Sequence, residues 1–248
     1  SDTQADDHFN TVLYTGNGGT NAITGVGFQP DWVWIKDRGI YDGYNYNNVM
    51  YDSARGVLRQ IRSDSTQADQ SQAGSLTAFG SGGFTLGSHV GQNTNGESYV
   101  AWNWKANGGT ATATISESGD NPAAVVQANP TAGFSLITYT GTGDAGTIAH
   151  GLGAVPTMMI IKNRDVADAW AVYHGANTAA PATDYLVLNT TAATADAATY
   201  WADTAPTSSV FTVHDTHNVN ADGEEYVAFI FADVEGYSKM GGYTGNGN

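Results

Sequence analysis

The sequence predicts an all-β protein: two tandem antiparallel β-sandwich domains, jelly-roll-like and related by an internal repeat. Three observations carry that prediction. Charged residues make up only 13% of the 248, about half the usual share, whereas Gly (31) and Tyr (13) are abundant. This composition suits strands joined by tight turns and disfavours helices, which draw on Glu, Lys, Leu and Ala. The second observation is that long stretches occur twice in the same order, a pattern that decides the reading of the whole chain. The third is a two-residue alternation of side chains bounded by Asn-Gly and Asp-Gly, the strongest short turn signals.

The repeat opens with 9-FNTVLYTGNGG-19, which returns as 134-FSLITYTGTGD-144. After a one-residue insertion, Gly25-Val26-Gly27 and Pro30 fall on Gly151-Leu152-Gly153 and Pro156, and 31-DWVWIKDR-38 falls on 157-TMMIIKNR-164. At the end of each copy, 83-GFTLGSHVGQNTNGESYVAWNWK-105 lies without a gap on 210-VFTVHDTHNVNADGEEYVAFIFA-232. The expected domains are therefore residues 1–105 and 134–236, joined by a linker at 106–133 with short extended segments in 110-TATATI-115 and 123-AAVVQA-128. A third opening, 237-YSKMGGYTGNGN-248, stops inside the motif. It reads as the start of a truncated third repeat or as a strand linking one subunit to the next, with Tyr237, Met240 and Tyr243 as its assembly residues.

Within each copy the elements follow in order. The runs 32-WVWIK-36 and 158-MMIIK-162 are apolar on both faces, as a central strand is, and the preceding Pro30 and Pro156 stand where a missing N–H is tolerated. The stretches 53-SARGVLRQIRSDSTQADQ-70 and 184-DYLVLNTTAATADAAT-199 read as a strand followed by a long loop. In 98-SYVAWNW-104, Tyr99, Ala101 and Asn103 share one face and Val100, Trp102 and Trp104 the other; Val227, Phe229 and Phe231 repeat the second face. That aromatic face is the expected sandwich core, with Trp104 and Phe231 mostly buried. Asn95-Gly96 and Asp222-Gly223 predict hairpins that pair each of these strands with the FTLGSHV or FTVHDTH before it.

Composition also excludes functions. A net charge of -15 with only nine Lys and Arg repels polyanions, so no nucleic-acid partner is expected. The absence of Cys removes disulfides and thiolate metal sites. No apolar run reaches 18 residues, so no membrane insertion is expected, and the polar start SDTQADDH does not read as a signal peptide. There is no G-x-S-x-G, H-E-x-x-H or P-loop. The carboxylates Asp42, Asp52, Asp64, Glu97, Glu224 and Glu225 are the candidates for paired acid–base work on a glycan. Glu97 and Glu224 coincide between copies, but each follows a turn glycine and reads as a solvated hairpin residue, so no enzyme is expected. None of the six His recurs between copies, and the two of 214-HDTH-217 point to opposite faces of a strand. The segment 218-NVNADGEEY-226 resembles the first half of a calcium loop, but Phe229 takes the position that needs Glu. No cofactor or metal is therefore expected, with calcium as the alternative. For binding, Tyr41, Tyr44, Tyr46 and Tyr51 crowd 40-IYDGYNYNNVMYD-52, a flat hydrogen-bonding surface suited to sugars or adaptable protein contacts.

Taken together, 9-FNTVLYTGNGG-19, 25-GVGFQPDWVWIKDR-38, 81-SGGFTLGS-88, 97-ESYVAWNWKANGGT-110 and 226-YVAFIFADVEGYSKMGGYTGNGN-248 resemble a tandem-domain family of uncharacterised virion proteins from tailed phages of marine bacteria, of the tail-fibre or structural kind. The resemblance implies a non-enzymatic role at the virion surface, outside the cell. Its partners would be further copies of itself, other virion proteins and host surface glycans. It supplies no catalytic residue. A secreted pair of carbohydrate-binding modules and a bacterial surface-filament subunit are the alternatives, followed by a glycan depolymerase.

Overall fold

A computed structural model describes residues 4–39 and 46–247. After a 3-10 turn at Ala5–Asp7, the first half runs through β1 (Phe9–Thr15), β2 (Asn21–Ile23), β3 (Trp32–Asp37), β4 (Val49–Asp52), β5 (Arg59–Arg62), β6 (Gln70–Ser71), β7 (Leu76–Gly80), β8 (Gly83–Leu86) and β9 (Ser98–Trp104). Six of these strands form one sheet in the order β1-β9-β3-β4-β5-β6, and three form a smaller one, β2-β8-β7. Every pairing is antiparallel. Val33 and Ile35 of β3, Val49 and Tyr51 of β4, and Tyr99 and Ala101 of β9 pack with Ile23, Leu76, Phe84 and Leu86 of the smaller sheet.

The second half contains β10 (Ala113–Ile115), β11 (Ala124–Asn129), β12 (Phe134–Thr140), β13 (Gly146–Ala149), β14 (Pro156–Asn163), β15 (Ala171–His174), β16 (Asp184–Val187), β17 (Ala195–Asp196), β18 (Val210–Val213) and β19 (Glu225–Ala232). Its large sheet has the order β10-β11-β12-β19-β14-β15-β16-β17, and β13-β18 forms the small one. From β12 onward this order corresponds place for place to that of the first sheet. Ile137, Tyr139, Met159, Ile161, Tyr226, Ala228 and Ile230 of the large sheet pack with Ile148, Phe211 and Val213 of the small one.

The opposite faces of the two large sheets meet each other. Trp32, Met50 and Ile61 of the first half pack with Phe134, Leu136, Ile160, Trp170, Val172, Phe229 and Phe231 of the second. Trp32 is the centre: its ring stacks 4.2 Å from Phe229 and 4.2 Å from Trp104, with Phe134 at 6.0 Å. The molecule is thus four layers deep, small sheet, large sheet, large sheet, small sheet. Polar links tie the seam as well. Asp69 N–H donates to the Arg164 carbonyl at 2.8 Å, and Trp170 Nε1 donates to the Arg62 carbonyl at 2.9 Å. The fully buried Asp69 side chain takes contacts from Arg55 (3.2 Å), Arg59 (3.1 Å) and Arg164 (3.4 Å), so one carboxylate gathers cations from both halves.

Three expectations are corrected. The aromatic face of β9 and β19 is the seam between the halves rather than the core within each, because the other face, led by Tyr99 and Tyr226, is the one covered by the small sheet. Phe231 is buried there, and Trp104, though partly exposed, is mostly buried as expected. The hairpins do not form: β8 pairs with β2 and β7, while β9 pairs with β1 and β3. A helical turn, α1 (Val90–Asn93), intervenes, with His89 Nδ1 accepting from Gly91 N–H at its start, and carries the chain from one layer to the other. Residues 106–133 are not a free linker, since β10 and β11 extend the second sheet beside β12. The alternation in 123-AAVVQA-128 is what permits this, as Ala124, Val126 and Ala128 turn into the core.

Candidate functional site

The repeated YTG phrase has a local structural task. Asn93 is fully buried, and its side chain clasps the turn after β1. Its Oδ1 accepts from Asn17 N–H at 2.9 Å, and its Nδ2 donates to the carbonyls of Gly19 and Gly87, both at 2.7 Å. Asn220 does the same after β12, accepting from Thr142 N–H at 3.0 Å and donating to the Asp144 carbonyl at 2.6 Å. The glycines that open the two turns admit no side chain: a Cβ on Gly16 would stand 2.1 Å from the Thr94 carbonyl oxygen, and one on Gly141 2.1 Å from that of Ala221. Asn220, weighed above as a calcium ligand, is committed to this clasp. Among the described residues no group of three or more His, Asp or Glu is arranged to hold a metal.

The tyrosine cluster separates. Tyr41 and Tyr44 lie outside the described residues. Tyr46 is half-buried, and its carbonyl accepts from Lys36 Nζ at 2.9 Å. Tyr51 is fully buried in the first core, with its hydroxyl 3.0 Å from Gln60 Oε1 and bonded to Gln92 Nε2. It offers no face to a ligand, because β4 turns it toward the small sheet. The C-terminal trio forms no strand. Tyr237 sits in a turn closed by the Val234–Ser238 bridge, its ring edge-on to His8 at 6.2 Å. Met240 packs against the seam, and Tyr243 is 96% exposed beside the 174–177 loop.

A better candidate for binding is a cleft of about 340 Å³ where the seam reaches the surface. Trp34, Asn48, Ser63 and Asp64 line it from the first half, and Leu188, Asn189, Thr190 and Thr191 from the second. Trp34 is partly buried, edge-on to Trp102 at 6.2 Å, and its indole Nε1 has no hydrogen-bond partner among the described residues. Asp64 holds the Asn48 backbone N–H at 3.0 Å and the Asn47 amide at 3.2 Å, which fixes the amide wall. Asn189 is set by the bond its Oδ1 accepts from Trp170 N–H at 2.9 Å. An apolar ring beside fixed amides and hydroxyls is the chemistry of a neutral polyhydroxylated ligand.

A family model described as Domain of unknown function (DUF7483) matches residues 4–248. The chain belongs to this family. The match runs through both halves and so includes both walls of the cleft. Searches of curated proteins and of solved structures gave no match.

In this family member the remaining candidates are dispersed. Asp52 forms a buried pair with Arg55, the two charged atoms 2.5 Å apart. Glu225 accepts from the Thr140 hydroxyl at 2.8 Å, and Glu224 bonds the Asn163 amide at 2.5 Å. Asp42 lies outside the described residues. His150 is fully buried, with Nε2 3.1 Å from the Thr207 carbonyl and Nδ1 accepting from Leu152 N–H at 3.2 Å, and burial lowers its pKa. The imidazole is therefore a neutral structural tie. The Trp34 cleft escaped the sequence reading because its two walls are about 130 positions apart and meet only through the seam.

Proposed function

We propose that the protein is a non-enzymatic structural and adhesive protein, a duplicated antiparallel β-sandwich that holds a neutral oligosaccharide in the Trp34 cleft. The observation that carries this reading is the cleft itself: an aromatic ring, two amides and three hydroxyl side chains, supplied by both halves, with Asn48 held by Asp64 and Asn189 by the Trp170 N–H. Among the described residues Asp64 is the one carboxylate lining it, whereas glycoside hydrolysis uses a pair roughly 5–10 Å apart. Asp64 and a net charge of -15 disfavour acidic glycans. The duplication is supported by the shared strand order and by equivalent registers: Trp34 stands opposite Trp102 as Ile160 stands opposite Phe229. The sequence resemblance to tailed-phage virion proteins makes the surface of such a particle the expected setting, with host glycans as the ligand. The test is calorimetric titration with a panel of neutral oligosaccharides. Binding to the wild type that is lost in Trp34→Ala and in Thr191→Trp, an exposed-site change that fills the cleft without touching the seam, supports the proposal. Binding unaffected by either change overturns it.

Self-association through β1 is a second reading with its own observation. In the second half β12 is covered by β11, and Ser135, Ile137 and Tyr139 are buried; among the described residues β1 is an open edge, and the corresponding Asn10, Val12 and Tyr14 are partly exposed. Edge strands are usually guarded by charge, proline or a bulge, yet β1, FNTVLYT, has no charge and no proline. The occupant we assign is β1 of a second copy, antiparallel about a two-fold axis, since an uncharged strand meets its own copy without repulsion. Light scattering decides it: Leu13→Lys, at a position 65% exposed, should convert dimer to monomer, and a wild type monomeric at all concentrations refutes it.

A further inference from the structure

The two halves place different side chains at one buried position. Asn163, the last residue of β14, stands opposite Tyr226; Asp37, the last residue of β3, stands opposite Tyr99. The tyrosine contacts correspond, with one difference: the Thr94 hydroxyl also donates to the Val90 carbonyl at 2.6 Å, where the second half has Ala221. In the second half Tyr226 Oη accepts from Ala221 N–H at 2.8 Å and donates to the His217 carbonyl at 2.8 Å. In the first, Tyr99 Oη accepts from Thr94 N–H at 3.1 Å and donates to the Val90 carbonyl at 3.2 Å. Asn163 Oδ1 accepts from Asp165 N–H at 2.9 Å, as Asp37 Oδ1 accepts from Gly39 N–H at 2.8 Å.

The difference lies in the other side-chain atom. Asn163 Nδ2 is a donor among three oxygens: the His217 carbonyl at 2.9 Å, Glu224 Oε2 at 2.5 Å and Tyr226 Oη at 3.2 Å. Asp37 has a carboxylate oxygen, Oδ2, where Asn163 has its amide nitrogen. Asp37 is 3% exposed, and its Oδ2 is buried with no hydrogen-bond partner among the described residues. Glu97 is close: its Oε2 would stand 2.7 Å, and Asp37 Oδ1 3.6 Å, from a Cβ built on Gly39. A buried unpaired carboxylate oxygen with a second carboxylate nearby is costly, and burial of a charge is relieved by pairing or by a metal.

We propose that Asp37 and Glu97 bind a hard divalent cation, calcium by its preference for oxygen donors, at the place the second half fills with the Asn163 amide. Asp37 Oδ2 and the Glu97 carboxylate are the protein ligands, and water completes the shell, as calcium's six to eight oxygen positions allow. The site joins β3 to the α1–β9 crossover, so the cation does for the first half what the Asn163 amide does for the second.

Thermal unfolding and calorimetry of the full chain test this, with calcium chloride added to about 10 mM, which spans the roughly 10⁻⁴–10⁻³ M dissociation constants of weak calcium modules. The wild type should melt higher in calcium than in chelator and bind one ion per chain. Asp37→Asn restores the donor found in the second half. It should melt in chelator at least as high as the calcium-loaded wild type and lose both the calcium shift and the heat of binding. Glu97→Gln should lose the heat of binding while remaining folded. The proposal is overturned if the wild type shows neither shift nor heat, or if Asp37→Asn still binds calcium. It is also overturned if acid, rather than calcium, raises the wild-type melting point in an Asp37-dependent way, since a shared proton would then occupy the site.

Discussion

Trp32 and Lys162 show how single side chains define the seam. Trp32 is 1% exposed and touches Trp104 and Phe229 face to face, so its removal leaves a void between two sheets that cannot collapse independently. Trp32→Ala should cost about 3–5 kcal/mol in chemical denaturation, and Trp104→Ala less, because Trp104 is partly exposed. Lys162 is fully buried, its ammonium held by the carbonyls of Asn163 (2.5 Å) and Val166 (3.2 Å). Burial pulls its pKa down to about 8, against the attraction of Asp168 and Asp69. In the unfolded chain it returns to the ordinary value of 10.5, so between these values the unfolded state binds the extra proton and stability rises with pH. Above about pH 10 the sign reverses. Burial raises the pKa of the Tyr139 and Tyr226 hydroxyls, so these groups stabilise the fold below the unfolded value of 10.0 and that contribution is lost as pH climbs past it. Denaturation from pH 7 to 11 should therefore show a maximum near pH 9–10. Lys162→Met should flatten the rising limb and gain up to about 3 kcal/mol at pH 7.

At the scale of elements, the turn clasps are the clearest case of one solution used twice. Asn93→Ala leaves the carbonyls of Gly19 and Gly87 and the N–H of Asn17 without partners, and Asn220→Ala strips the Asp144 carbonyl and the Thr142 N–H. Each substitution should cost about 1–3 kcal/mol in a denaturant titration; an unchanged midpoint would show that water replaces the clasp. Strand positions were largely legible in the sequence, because alternation and apolar runs are local. WVWIK and MMIIK are central strands, and the strand expected from Tyr185 to Leu188 overlaps β16, one residue out of step. Pairing was less legible. Asn95-Gly96 promised a hairpin, and Gly96 does have a positive φ of 85°, yet the turn serves a crossover between layers. A turn dipeptide fixes backbone shape, not the partner of the strand that follows. The extended segments expected in 110–115 and 123–128 do form, as β10 and β11, but their place in the second sheet was not legible, because small residues such as those of AAVVQA show no partner until a neighbouring strand gives their alternation a core to face.

For the whole molecule, the seam makes two halves into one body. The aromatic cluster, the Asp69 contacts and the Trp170–Arg62 bond all cross it. Calorimetry should accordingly show a single cooperative transition, with two resolved transitions expected only if the halves unfold separately. The alternating faces of β9 and β19 were read correctly from sequence, but which face looked inward was not, since both faces are apolar and only the small sheets distinguish them. The candidate cleft is a consequence of that stacking and had no local signature. It is also where the functional account is most exposed to test. A crystal structure of the protein grown with the tightest-binding neutral oligosaccharide is the direct measurement. The account predicts a sugar ring against Trp34 with hydroxyls on Asn48, Asn189 or Thr191. Sugar bound elsewhere, with the cleft holding only water, would contradict it.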